Sequence, residues 1–173
     1  MKARALAGVM ACVFVSGACD QVRDYLDAES PEPPAAEDVA PYYGQHRGVK
    51  AVELNGNVVE LRVEQPYQQL DRGGSLWARV GPYVTLLTPS TRSVFNDFPG
   101  VAGVRVITEL PDGDEVARAM LTRTELSDVL WRRTLNILGH ALQDGRENPR
   151  RLEELTEWGE EHTEFRYNPD YVR

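Results

Sequence analysis

The sequence predicts an α+β domain: two antiparallel β-hairpins in one sheet, helices covering one face, and two C-terminal helices. Three observations carry this. Two turn signals, Asn55-Gly56-Asn57 and Pro111-Asp112-Gly113-Asp114, each lie between runs where apolar and polar residues alternate. Apolar residues recur at roughly helical spacing from Leu76 to Phe98 and again from Leu126 to Trp158. The composition, 42% hydrophobic and 27% charged over 173 residues, suits a chain with a real core. It excludes a disulfide scaffold, a collagen-like repeat, a polytopic membrane protein and a wholly disordered chain.

The first strand pair is expected at 49–54 and 58–63. Alternation puts Val52, Leu54, Val59, Leu61 and Val63 on one face, and shifting the turn by one residue keeps that set together. Gly73-Gly74 opens the next region. There Leu76, Val80, Val84, Leu87, Val94 and Phe98 predict two short or kinked helices, with Pro82 and Pro89 each near a helix start. Strand is the rival reading for 76–87. A strand at 101–110 and its partner at 115–123 follow. With Leu110 facing Glu115, residues Val104, Val106, Ala117, Ala119 and Leu121 share one face, and Arg105, Glu109 and Arg118 take the other. That segregation predicts a sheet covered by helices on one side only.

Thr124 is the expected cap of a helix with Leu126, Val129, Leu130, Ile137, Leu138, Ala141 and Leu142 on its apolar side, stopping at Gly145. Asn148-Pro149 starts a second helix, running to about Glu161 with Leu152, Leu155 and Trp158 inward. The tail from Phe165 alternates aromatic residues and is expected to lie against the body.

The first residues carry a different signal. Lys2 and Arg4 precede an apolar run at 5–15, too short for the roughly 20 residues a membrane-spanning helix needs. Ser16-Gly17-Ala18 and then Cys19 complete the order of a secretory signal peptide. Gly17-Ala18-Cys19 resembles the lipobox of bacterial lipoproteins, a resemblance that covers the leader alone. It implies that Cys19 is the lipidation site and the mature N-terminus, tied to a membrane on the extracytoplasmic side of the cell envelope. Ser16 stands where that class usually has Leu, and Ser16-Gly17-Ala18 also suits ordinary signal peptidase, which would release a soluble protein. Cys12 lies inside the apolar run, and cleavage there would leave the run too short. Cleavage before Cys19 removes Lys2 and Arg4 and no acid, taking the formal net charge from -8 to -10. Cys19 is then the only cysteine, so an exported domain without internal disulfides would be held by its core.

Residues 20–38 carry seven acids against Arg23, with Pro31, Pro33, Pro34 and Pro41 nearby. That composition predicts a disordered, extended tether over 19–44 and a single folded domain over 45–173, after a signal peptide at 1–18. The tether could also serve as bait for a basic partner. Residues 39–146 hold twelve acids and twelve bases, so the excess negative charge sits at the two ends. The negative balance argues against nucleic acid or an anionic membrane as the main partner.

Motifs for catalysis are missing from the sequence. Gly73-Gly74-Ser75-Leu76-Trp77 fails as a hydrolase elbow, and no Gly-rich phosphate loop occurs. Cys19 and Cys12 are not available as thiol nucleophiles. His46, His140 and His162 lie far apart, so neither a metal nor another cofactor is expected. Asp112-Gly113-Asp114 lacks the further acids of a calcium loop and reads as a turn. Trp131-Arg132-Arg133 would not form one surface on a helix, whose neighbours point about 100° apart. Glu153, Glu154, Glu157, Glu160, Glu161 and Glu164 form an acidic side that reads first as a solvated face. The binding candidates are His162 with Glu160, Glu161 and Glu164, and Trp158.

Two function classes remain. The first is a membrane-anchored, non-catalytic interaction or assembly module with a protein partner. The second is a small-ligand-binding protein or small hydrolase with a cleft between sheet and helices. A deep apolar pocket or buried carboxylate pair would favour the second, and an exposed apolar patch the first.

Overall fold

The computed structural model describes residues 31–171. Among the described residues the first element is helix α1 (Ala36–Tyr43), followed by the hairpin β1 (Val49–Asn55) and β2 (Val58–Glu64). Helices α2 (Tyr67–Val80), α3 (Tyr83–Leu86) and α4 (Pro89–Asp97) lead to a second hairpin, β3 (Gly103–Glu109) and β4 (Glu115–Thr122). Helices α5 (Asp128–Asp144) and α6 (Pro149–His162) precede a short strand, β5 (Glu164–Tyr167), and a 3-10 turn at Pro169–Tyr171. The class is α+β, as the sequence predicts.

The five described strands form one mixed sheet in the order β1-β2-β3-β4-β5. The two hairpins meet through a parallel pairing of β2 with β3, made possible by the helical crossover between them. Gly56, with φ of +63°, makes the first hairpin turn. The expected apolar faces hold. Val52 pairs with Leu61, Leu54 with Val59, Val104 with Leu121 and Val106 with Ala119. The expected offset of the second hairpin holds from Gly103 to Thr108 and slips by one at Glu109, which faces Glu115 in place of Leu110. The tail is more than docked: Glu164–Tyr167 adds to β4 as the fifth strand, with Phe165 opposite Ala119.

Residues 76–87 are helical. Pro82 caps α3, Pro89 is the first residue of α4, and the Thr88 side chain accepts from the Thr91 amide. The α2 helix begins at Tyr67, ahead of the Gly73-Gly74 start read from the sequence. Gly74 marks a kink inside it, at φ +53° and ψ -137°.

The expected tether does not extend to residue 44. Its final part folds as α1, and Val39 and Tyr43 are wholly buried in the main core. Val39, Tyr42 and Tyr43 stand at i, i+3 and i+4, a short apolar stripe that outweighs the acidic, Pro-rich setting. Residues 19–30 of the tether, Cys19 and the signal peptide lie outside the described residues.

Two details of α5 also differ from expectation. Ser127, not Thr124, accepts from the Leu130 amide at its start. Val129 and Leu142 are exposed, and Trp131 and Thr134 take inward positions instead. Both displaced residues sit at the margins of the apolar stripe, where a small rotation of the helix decides burial. In α6, Leu152, Leu155 and Trp158 point inward as expected. One core cluster joins all of these helices to one face of the sheet.

Candidate functional site

The binding candidates read from the last helix do not form one site. Trp158 is buried, and its Nε1 donates to Thr134 Oγ1 at 2.8 Å. The His162 ring lies 4.2 Å from it, and the Arg133 guanidinium covers it at 4.3 Å. His162 Nδ1 is 3.3 Å from Glu125 Oε1. Glu160 turns elsewhere, to Arg79, in a paired contact at 2.8 and 2.7 Å. Glu161 is exposed, and Glu164 belongs to β5. Successive helical residues diverge by about 100°, so neighbours in sequence reach three different surroundings. Among the described residues, no three His, Cys, Asp or Glu side chains come together to hold a metal.

The cleft that a ligand-binding reading requires between sheet and helices is filled. Val59, Leu61, Val104, Val106, Ala119 and Leu121 are fully buried there. The exposed large apolar residues, Tyr67, Val129, Leu142 and Tyr167, come from four different parts of the chain.

The Asp112-Gly113-Asp114 sequence makes the expected turn, with Gly113 at φ +96°. The Tyr67 hydroxyl donates to Asp112 and holds its carboxyl below the usual range; the same contact raises the phenol to about 12. Tyr171 donates to Asp114 at 3.3 Å. These contacts tie α2 and the C-terminal turn to the hairpin.

The distinctive surface is the other face of the sheet. No described helix covers it, and its outward positions carry charge. On the β1–β3 side most charges are paired, Glu53 opposite Glu60 being the exception among the described residues. Lys50 meets Glu64 at 2.6 Å. Glu60, only 8% exposed, accepts from Arg62 at 3.1 Å and from Arg105 at 3.2 Å. Arg62 also donates to Glu109, which raises its pKa further above the ordinary arginine value. Ile107 points to this face yet is only 5% exposed. The register places Arg62 on one side of it and Arg118 on the other, so their aliphatic stems shield it.

The β4–β5 side is different. Arg105, Arg118, Ala119, Met120, Glu164 and Arg166 line an open hollow of about 240 Å³. Arg118 and Arg166 stand directly opposite each other across the strand pair. Arg118 grips Glu115 at 2.6 and 2.9 Å, and Arg105 reaches Glu60 and the Met120 sulfur, the latter at 3.4 Å. Arg166 makes no ion pair among the described residues.

Alternation in the sequence already assigns Arg105 and Arg118 to the polar face. It does not bring Arg166 to them, because that needs the pairing of β5 with β4. The alternation of charged and aromatic residues over Glu164–Tyr167 was the available signal.

No protein-family model matches this chain, and neither a curated protein nor a solved structure is similar to it. Among the described residues, no helix is long and apolar enough to cross a membrane.

Proposed function

We propose that the protein is a non-catalytic interaction module that works through the open face of its sheet. A lipid on Cys19 would hold it to a membrane on the extracytoplasmic side. One observation carries the first part: a sheet of five described strands whose outward face, covered by no described helix, bears a set of ion pairs beside an arginine-lined hollow. The filled sheet–helix interface favours this over a ligand cleft. The order of basic start, apolar run and Gly17-Ala18-Cys19 supports the anchor.

Photocrosslinking side chains placed at Glu53 and Thr122 probe the sheet face, and ones at Arg132 and Glu153 probe the helices. A discrete adduct is expected from the sheet positions alone; adducts from the helical positions alone would overturn the reading. For the anchor, Cys19→Ser should abolish metabolic labelling by fatty acid and partition into detergent. A Ser variant that is processed and anchored like the original, or that is still labelled, would overturn the lipobox reading.

A further inference from the structure

The geometry points to the hollow between β3, β4 and β5 as a binding site for a phosphate-type oxyanion, with Arg105, Arg118 and Arg166 as its donors. The inference rests on the sheet face being the working surface and names the chemistry that this surface recognises.

Three features converge on it. The first is charge. Three arginines and one acid, Glu164, line the hollow; Glu60 and Glu115 pair directly with Arg105 and Arg118, which leaves Arg166 as the lining arginine with no ion pair among the described residues. Three guanidinium groups thus converge on one hollow in a chain whose formal net charge is -8.

The second is pairing. Arg118 and Arg166 are cross-strand neighbours, and like charges in that position destabilise a sheet. Nothing in the packing requires arginine at 166, since the side chain is exposed and makes no ion pair among the described residues. An oxyanion between the two guanidinium groups would turn that repulsion into attraction.

The third is the donor type. Guanidinium groups present N–H donors in a planar fork that matches phosphate oxygens two at a time. Glu60 and Glu115 orient Arg105 and Arg118; Glu115 takes Nε and Nη2 of Arg118, so a ligand would meet the Arg118 Nη1, the remaining N–H groups of Arg105 and the whole Arg166 fork. Phosphate fits this set better than a simple carboxylate, because it offers more oxygens and up to two negative charges to three donors. The hollow is open, which suits a phosphate carried on a larger molecule as well as the free ion.

The test uses the chain 20–173 and inorganic phosphate, followed by the arginine Nε–H resonances in NMR. Saturable shifts confined to Arg105, Arg118 and Arg166 are expected, weakening as sodium chloride is raised. Arg166→Gln should weaken binding by at least tenfold. Arg166→Glu should abolish it while raising the melting temperature, because the new carboxylate would face Arg118. That opposite movement of stability and binding separates loss of a site from loss of fold. Equal shifts at all arginines, or an unchanged affinity in Arg166→Gln, would overturn the proposal. Phosphatidylglycerol vesicles then identify the source. Competition with inorganic phosphate would assign the site to a lipid headgroup, and its absence, with phosphate binding intact, to a soluble phosphate. If phosphate fails to bind but the sheet-face crosslinks persist, the anion site falls and the interaction surface stands.

Discussion

Tyr43 tests whether the folded domain begins before residue 45. Its side chain is wholly buried, its hydroxyl lies 3.1 Å from Thr91 Oγ1, and its ring lies 5.6 Å from that of His46. Thr91 is itself fully buried, so the hydroxyl pair is shut away from water. Tyr43→Phe removes one buried hydrogen bond and should destabilise by about 1 kcal/mol. Tyr43→Ala also empties the ring's space, where large-to-small changes at buried aromatics lose about 3–5 kcal/mol. Against a typical domain stability of about 5–15 kcal/mol, the Ala variant would be close to marginal. A chain starting at Gln45 loses Val39 along with Tyr43 and should be no more stable than Tyr43→Ala. Urea unfolding followed by circular dichroism gives these differences, with a constant slope confirming that the midpoint reports stability. The reasoning fails if Tyr43→Ala loses less than about 1 kcal/mol, or if the shortened chain unfolds at the full chain's midpoint.

Other sites give further expected outcomes. Gly159→Ala should destabilise by about 1–3 kcal/mol even though alanine favours helix, because the added Cβ would come within 2.5 Å of the Tyr83 ring; calorimetry showing a higher melting temperature would contradict that packing. Trp158→Ala should lose about 3–5 kcal/mol in urea unfolding, and Trp158→Phe less, since it keeps most of the ring volume and loses mainly the bond to Thr134. Burial raises the phenols of Tyr43 and Tyr83 above their ordinary value of 10.0. Their neutral forms therefore contribute stability that is complete below pH 10 and declines as the pH rises further. Ultraviolet titration should show both ionising only as the fold is lost, while exposed Tyr67 titrates near 12. Glu60→Ala should lose about 1–2 kcal/mol, because it removes the acceptor shared by Arg62 and Arg105; a neutral result in urea unfolding would mean the sheet-face ion pairs do not stabilise.

The parts of the fold legible in the sequence are those governed by local rules. Alternation assigns the hairpin faces because strand side chains change sides at every residue. Pro82, Pro89 and Pro149 mark helix starts because their fixed φ suits the first turn and their missing N–H goes unused there. The errors arise where tertiary contacts decide. In α1, an apolar stripe of three residues stabilises little alone and becomes helical structure against the body. Strand β5 has only four residues, and its partner β4 lies more than forty positions earlier in the chain. The candidate site follows the same division. Arg105 and Arg118 are legible as outward residues, whereas their meeting with Arg166 depends on that distant pairing.

The open sheet face divides by how its charges are matched, and the division separates stability from recognition. Around β2, acids and bases are interleaved at contact distance, with Glu60 bridging two arginines and Arg62 bridging two carboxylates. The aliphatic stems of Arg62 and Arg118 flank Ile107, so the charged layer also shields a face that no described helix covers. A substitution there disturbs several partners at once and should act on stability. Around β5 the matching stops. Arg166 faces Arg118 instead of an acid, although Glu164 stands two residues away on the same strand and would make a pair if the two positions were exchanged. Exchange of Glu164 and Arg166 changes neither composition nor net charge, and it would place the acid opposite Arg118. The arrangement present is the less stable of the two by simple charge pairing, which is the pattern expected where a surface is arranged for a ligand. The swapped variant should therefore be at least as stable as the original and bind phosphate more weakly.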